Sequence, residues 1–84
     1  MYRVYVIQNE EGRFYIGLTD DVIRRVNDHN AGVSTWTHYR GPWQLRWTSE
    51  AMSLGEARKL ENFLKKQKGG NGFFAHTGLT RSGS

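Results

Sequence analysis

Residues 2–8 and 13–18 each read with a period of two, and only Asn9-Glu10-Glu11-Gly12 separates them. Tyr2, Val4 and Val6 fall on one side of the first run, and Arg3, Tyr5 and Ile7 on the other. That period, with β-branched and aromatic residues, is the pattern of a strand. Two such runs joined by a tight, glycine-containing turn leave one local solution, an antiparallel hairpin. A three-residue loop with Gly12 in the left-handed conformation sets Asn9 opposite Arg13, Ile7 opposite Tyr15 and Tyr5 opposite Gly17. Tyr5 and Tyr15 then share one face of the sheet, and Gly17 leaves a hollow beside two phenols. β-Propensity alone also accounts for tyrosines in strands, and a glycine there equally marks a bulge or a strand end.

The hairpin is followed at once by Thr19-Asp20-Asp21 and an amphipathic stretch that reaches Gly32. Thr19 or Asp20 suits a helix N-cap, acidic residues suit the positive end of the helix, and Gly32 suits its C-terminal stop. At about 100° per residue, Val22, Ile23 and Val26 form the stripe expected to be buried. Arg25 and His29, four residues apart, lie together on its border, and Arg24 points nearly opposite. Beside a sheet, such a pair reaches a ligand on the sheet's face. Read on burial habits alone, it is an interfacial arginine and a satisfied histidine.

Residues 33–42 read as a loop rich in hydroxyls and rings: Ser34, Thr35, Trp36, Thr37, His38, Tyr39 and Arg40. Hydroxyls and an arginine suit phosphate oxygens, and exposed rings stack on bases. Equally, Trp36 folding back would seal a thin core. Residues 43–49 read as a third strand with Trp43, Leu45 and Trp47 on one face.

Ser53-Leu54-Gly55-Glu56 is a capping box that opens a second helix. Leu54, Ala57, Leu60 and Leu64 form its apolar stripe, and Glu61 falls inside that stripe. A carboxylate in a packing face is costly unless paired or metal-bound. It is therefore read either as the partner of an arginine such as Arg25 or as a metal ligand at the mouth of a cleft. After Lys65, Lys66 and Lys68 comes Gly69-Gly70-Asn71-Gly72, then Phe73-Phe74, which suit docking of a last short element. A single domain over residues 1–76, with a flexible tail over 77–84, is the expected organisation.

Eighty-four residues with no cysteine rule out a disulfide or cysteine-metal framework, and a domain this small buries roughly 60–65% of its unfolded surface. Twelve Lys and Arg against eight Asp and Glu give a net charge of +4, which favours an anionic partner. No apolar run is long enough to cross a bilayer and no signal pattern opens the chain, so a soluble, cytoplasmic protein without membrane contact is expected.

Two tyrosines ten apart, the second in Tyr15-Ile16-Gly17, then Arg25-x-x-x-His29-Asn30 and a later helical Glu61, resemble the GIY-YIG nuclease family. The resemblance is closest to its small stand-alone single-domain members and runs from about Tyr2 to Gly70. Tyr15-Ile16-Gly17 matches the second half of the name literally, whereas Arg3-Val4-Tyr5 stands where Gly-Ile-Tyr would. Leu18 stands where some members carry a basic residue, and Asn71 corresponds only loosely to a distal asparagine found in several. The resemblance implies a small α+β (or α/β) fold, a mainly antiparallel three-stranded sheet in the order β-β-α-β-α flanked by helices. It also implies endonuclease activity on DNA, duplex or branched, with Mg²⁺ or Mn²⁺ as cofactor and a role in DNA repair or recombination. Tyr5, Tyr15, Arg25, His29 and Glu61 correspond to the catalytic residues, with Glu61 also the metal ligand and Gly17 structural. A free phenol is mostly protonated at neutral pH, whereas His29 is expected to titrate in the useful range unaided.

Arg24, Arg40, Arg46, Lys65, Lys66, Lys68, Trp36 and Tyr39 are the expected nucleic-acid-binding residues. With no second DNA-binding domain visible, tight sequence specificity would require a targeting partner protein or a homodimer. Two other readings stay open: a catalytically weak or inactive nucleic-acid-binding domain on the same scaffold, and a protein-interaction domain docking through Trp36, Tyr39, Trp43 and Trp47.

Overall fold

A computed structural model describes residues 1–32, 41–68 and 70–79. Strand β1 (Arg3–Asn9) is central in a three-stranded antiparallel sheet, with β2 (Phe14–Thr19) and β3 (Trp43–Thr48) on its two edges. Helices α1 (Val22–Asn30), α2 (Leu54–Gln67) and α3 (Asn71–Thr77) complete an α+β fold. No described helix is long and apolar enough to cross a membrane.

The hairpin has the expected register, with Tyr5 opposite Gly17 and Ile7 opposite Tyr15. Its turn is locked from within. Gly12 has φ 86°, and the Asn9 side chain accepts from Glu11 N at 3.1 Å and Arg13 N at 2.9 Å. Because β1 is flanked on both sides, Val4, Tyr5, Val6 and Ile7 are all buried, and the sheet separates two clusters. Val4, Val6, Phe14 and Ile16 pack with Ala57 and Leu64 of α2 and Phe73 of α3. On the other face Tyr5, Ile7 and Trp43 meet Tyr15 and the α1 residues Val22 and Val26.

Several expectations change. The pairing of β1 with β3 slips between Val6 and Ile7: Val6 faces Trp47 but Ile7 faces Leu45, leaving Arg46 as the extra residue of a bulge. One added residue inverts the alternation, so Trp47 joins the Val6 cluster while Trp43 joins the Tyr5 cluster. In α1 the cap is Asp21, whose carboxylate accepts from Arg24 N at 3.1 Å; Thr19 accepts from Asp21 N instead. Val22, Val26 and His29 lie within about 60° of one another on that helix, so they form its inner stripe. Ile23, about 100° from Val22, is left 76% exposed.

Leu54, in the first turn of α2, is likewise exposed although Ser53 caps the helix as expected. The Phe-Phe pair does dock a short element. In α3, Phe73 and Phe74 place their rings 5.1 and 6.1 Å from that of Phe14. This helix runs on to Thr77, the first residue of the expected tail, whose hydroxyl donates to Phe73 O; Gly78, φ 72°, then ends it.

Candidate active site

Tyr5 is buried in the central strand, and its ring leans across Gly17 toward the outer strand β2. A Cβ at position 17 would lie 2.5 Å from Tyr5 Oη and 2.7 Å from Cζ, which no real contact allows. The glycine is thus a steric requirement of the phenol's position. Gly17→Ala is expected to destabilise the fold by about 1–3 kcal/mol, the usual cost of overpacking, by evicting the Tyr5 ring. Urea denaturation checks the loss, and a variant as stable as the parent would show that the ring moves freely.

Tyr5 Oη lies 2.7 Å from His29 Nε2. Helix α1 brings the imidazole there because Val22 and Val26 dock on the same sheet face and turn position 29 inward. The Tyr15 ring sits 6.4 Å from that of Tyr5 and 4.8 Å from that of His29, so the two phenols and the imidazole form one aromatic triangle. Asn30 fixes the end of α1 against β3, donating to Trp43 O at 3.0 Å and accepting from Trp43 N at 2.7 Å. The sequence pointed to Asn30 only as part of the Arg25-x-x-x-His29-Asn30 motif, without a structural role.

Arg25, one turn before His29, stands beside the same phenol. Burial, then the nearby Tyr15, push the Tyr5 pKa up to about 12; the Arg25 charge and its N–H donors pull the other way, and Glu61 adds to the rise. Since a guanidinium only donates, the favoured arrangement has Tyr5 Oη–H donating to Nε2, with the imidazole proton on Nδ1. Asp28 Oδ2 balances Arg25 at 3.8 Å, a partner readable from the i,i+3 spacing.

His29 does not titrate where its sequence context suggested. Burial and then the Arg25 charge lower its pKa to about 4, partly offset by Asp28. The folded protein therefore holds it neutral, while the unfolded chain protonates it near 6.5. Between these values the unfolded state binds more protons, so stability is flat above pH 6.5 and falls as pH drops toward 4. The loss from this residue is on the order of 3 kcal/mol. Denaturation at pH 7 and pH 4.5 checks this: His29→Gln should lose less stability over that interval than the parent, and equal losses would contradict it.

Glu61 is buried in the inner face of α2, with its side chain 8% exposed. Its partners come from its own helix, Arg58 Nη1 at 3.5 Å from Oε1 and Lys65 Nζ at 3.2 Å from Oε2, rather than from Arg25. Helical spacing explains this: positions i−3 and i+4 flank a residue on its own face, whereas Arg25 is committed to Asp28 and Tyr5. The carboxylate is nonetheless near enough for its charge to act on Tyr5. Among the described residues no three His, Asp or Glu side chains form a preformed metal cage. One buried carboxylate fits a hard divalent ion completed by water and substrate oxygens, because its two cations are more than half exposed and free to swing into solvent.

The described members of the expected nucleic-acid-binding set lie on different elements. Arg24 is exposed and paired with Asp20 at 3.3 Å, turned away from the phenols. Arg46 sits on the bulge of β3, at the opposite edge of the sheet from Tyr15. Lys65, Lys66 and Lys68 lie at the exposed end of α2. Trp36, Tyr39 and Arg40 fall outside the described residues.

Residues 1–73 match the family described as GIY-YIG catalytic domain. A UPF0213 protein of Halobacterium salinarum is 43% identical over 67 residues, covering 79% of this chain and 87% of that protein. Another UPF0213 protein, from Vibrio campbellii, is 35% identical over 66 residues, covering 77% of this chain and 64% of that protein. The solution NMR structure of a UPF0213 protein from Bacillus halodurans is similar at 35% identity, covering 79% of this chain and 72% of that one, with a TM-score of 0.49.

Proposed function

The chain belongs to the GIY-YIG catalytic-domain family, and from that premise we propose that it is a divalent-metal-dependent endonuclease hydrolysing DNA phosphodiester bonds. Nuclease-type chemistry is general to the family, and its nucleases generally use divalent metals. The further proposals are that the target is duplex or branched DNA and that cutting follows DNA structure or has low sequence specificity. The observation that carries the reading is the convergence on Tyr5: an imidazole nitrogen 2.7 Å from its oxygen, Tyr15 and Arg25 beside it, and the charge of Glu61 reaching it.

In this reading Arg25 donates its forked N–H groups to the non-bridging oxygens of the scissile phosphate, where negative charge grows. A water between Tyr5 and the phosphorus gives its proton to Tyr5 Oη while the phenol proton passes to His29 Nε2. The water oxygen then attacks, and the leaving oxygen takes a proton from solvent. His29 is a weak base in the free site because burial and then the Arg25 charge disfavour its proton; an arriving phosphodiester offsets the Arg25 part and raises its basicity. Tyr15, in contact with His29, orients the water or the phosphate. Glu61 would hold the ion, Mg²⁺ or Mn²⁺, whose bound charge stabilises the phosphate and leaving oxygens.

The test is a panel of labelled linear, nicked, flapped and four-way DNA, each with Mg²⁺, with Mn²⁺ or with EDTA. Cleavage only in the presence of metal is expected, and intact DNA in every lane would overturn the proposal. Binding without cleavage would instead identify a DNA-binding domain that has lost turnover, a reading favoured by the ion pairs Glu61 already makes with Arg58 and Lys65.

A further inference from the structure

On the outer side of β2 lies a pocket of about 230 Å³ lined by Tyr15, Ile16, Lys65 and Lys68. It adjoins the site just described through two shared residues. Tyr15 touches the His29 ring, and Lys65 holds a Glu61 oxygen at 3.2 Å. Its walls are a phenol ring, an isoleucine and two lysine stems, and its charged groups are ammonium heads. That combination suits a sugar against carbon and a phosphate against cations. Another pocket among the described residues, between Gln8, Asn9, Glu10, Pro42 and Gln44, has a carboxylate and neutral amides and suits no anion.

We propose that the Tyr15–Lys68 pocket seats a neighbouring phosphate of the DNA strand, beside the one that is cut, and so fixes the register of the scissile bond against Tyr5 and Arg25. The proposal rests on the DNA-cleaving reading and adds to it a second, non-reacting phosphate contact. Beside the pocket's shape, cations crowd this end of α2: Lys68 is exposed as a whole, but desolvation of its amine and then the Arg13 and Lys65 charges lower its pKa, and the last two are repulsion. An anion bound there relieves that repulsion. Lys65, shared between Glu61 and the pocket, ties the two phosphate positions together.

The experiment measures binding of a labelled DNA duplex by fluorescence anisotropy in EDTA, with single phosphates replaced in turn by neutral methylphosphonate. Lys68→Gln should weaken binding of unmodified DNA about tenfold, the scale of one charge-assisted contact. At one phosphate of a flapped duplex, whose junction fixes the register, methylphosphonate should weaken the parent similarly and leave Lys68→Gln unaffected. Lys68→Arg, which keeps the charge, should bind like the parent and controls for folding. Lys68→Gln binding within twofold of the parent, or penalties that simply add at every position, would overturn the pocket. The two readings fail separately. If Lys68→Gln shows the expected binding loss but the parent cuts nothing with Mg²⁺ or Mn²⁺, the pocket stands and the nuclease reading falls. If Arg25→Ala stops cutting while Lys68→Gln binds normally, the reverse holds.

Discussion

Arg25→Ala is expected to lower the DNA cleavage rate by about 10²–10³-fold, the usual effect of losing one preorganised donor to a developing oxyanion. The fold should survive, because the side chain is 31% exposed and its partner Asp28, 35% exposed, can turn to water. Two changes in the site distinguish this from general damage. Arg25 holds the Tyr5 pKa down and depresses that of His29, so its removal should raise both. An NMR titration following the His29 ring should therefore show its pKa rising from about 4 in Arg25→Ala, but staying below the free value because burial, the larger cause, remains. Arg25→Lys, keeping charge but not the planar fork, should restore the low His29 pKa and only part of the rate. An unchanged His29 titration in the alanine variant would remove the arginine from the site.

Glu61→Ala should abolish metal-dependent cleavage, a loss of about 10³-fold or more if the ion contributes several kcal/mol to the transition state. Its stability should move the other way. A buried carboxylate held by two half-exposed cations costs desolvation that its ion pairs barely repay. Glu61→Leu should thus leave stability unchanged or raise it by about 1 kcal/mol, since Arg58 and Lys65 turn to water and no buried charge is orphaned. Thermal melts alongside cleavage assays check both halves. A variant that is inactive and also several degrees less stable would make Glu61 a structural residue.

Much of this arrangement was legible before any coordinates. The hairpin register followed from the alternation and Gly12, and that register put Tyr5 opposite Gly17. The i,i+4 spacing of Arg25 and His29 put both on one side of α1, and the stripe of α2 put Glu61 inward. What the sequence hid were features set by tertiary packing or by a single added residue. Nothing in Trp43-Gln44-Leu45-Arg46-Trp47 announces a bulge, yet it sends Trp47 to the opposite face. Whether Ile23 or His29 joins the buried stripe of α1 is a rotation that only docking on the sheet decides. The depressed basicity of His29 needs its burial and the Arg25 charge together, and neither is a property of residue type. Helix α3, seven residues after a glycine-rich turn, is too short for a period to show.

The most direct measurement is single-turnover cleavage of one labelled DNA substrate by the parent, Arg25→Ala and Glu61→Ala over a Mn²⁺ titration, with folding verified by thermal melts. A parent that cuts with saturable metal dependence, beside two folded variants slowed by about 10²-fold or more at every metal concentration, is the predicted result. Cleavage by either variant at the parental rate would mean that the chemistry resides elsewhere than around Tyr5.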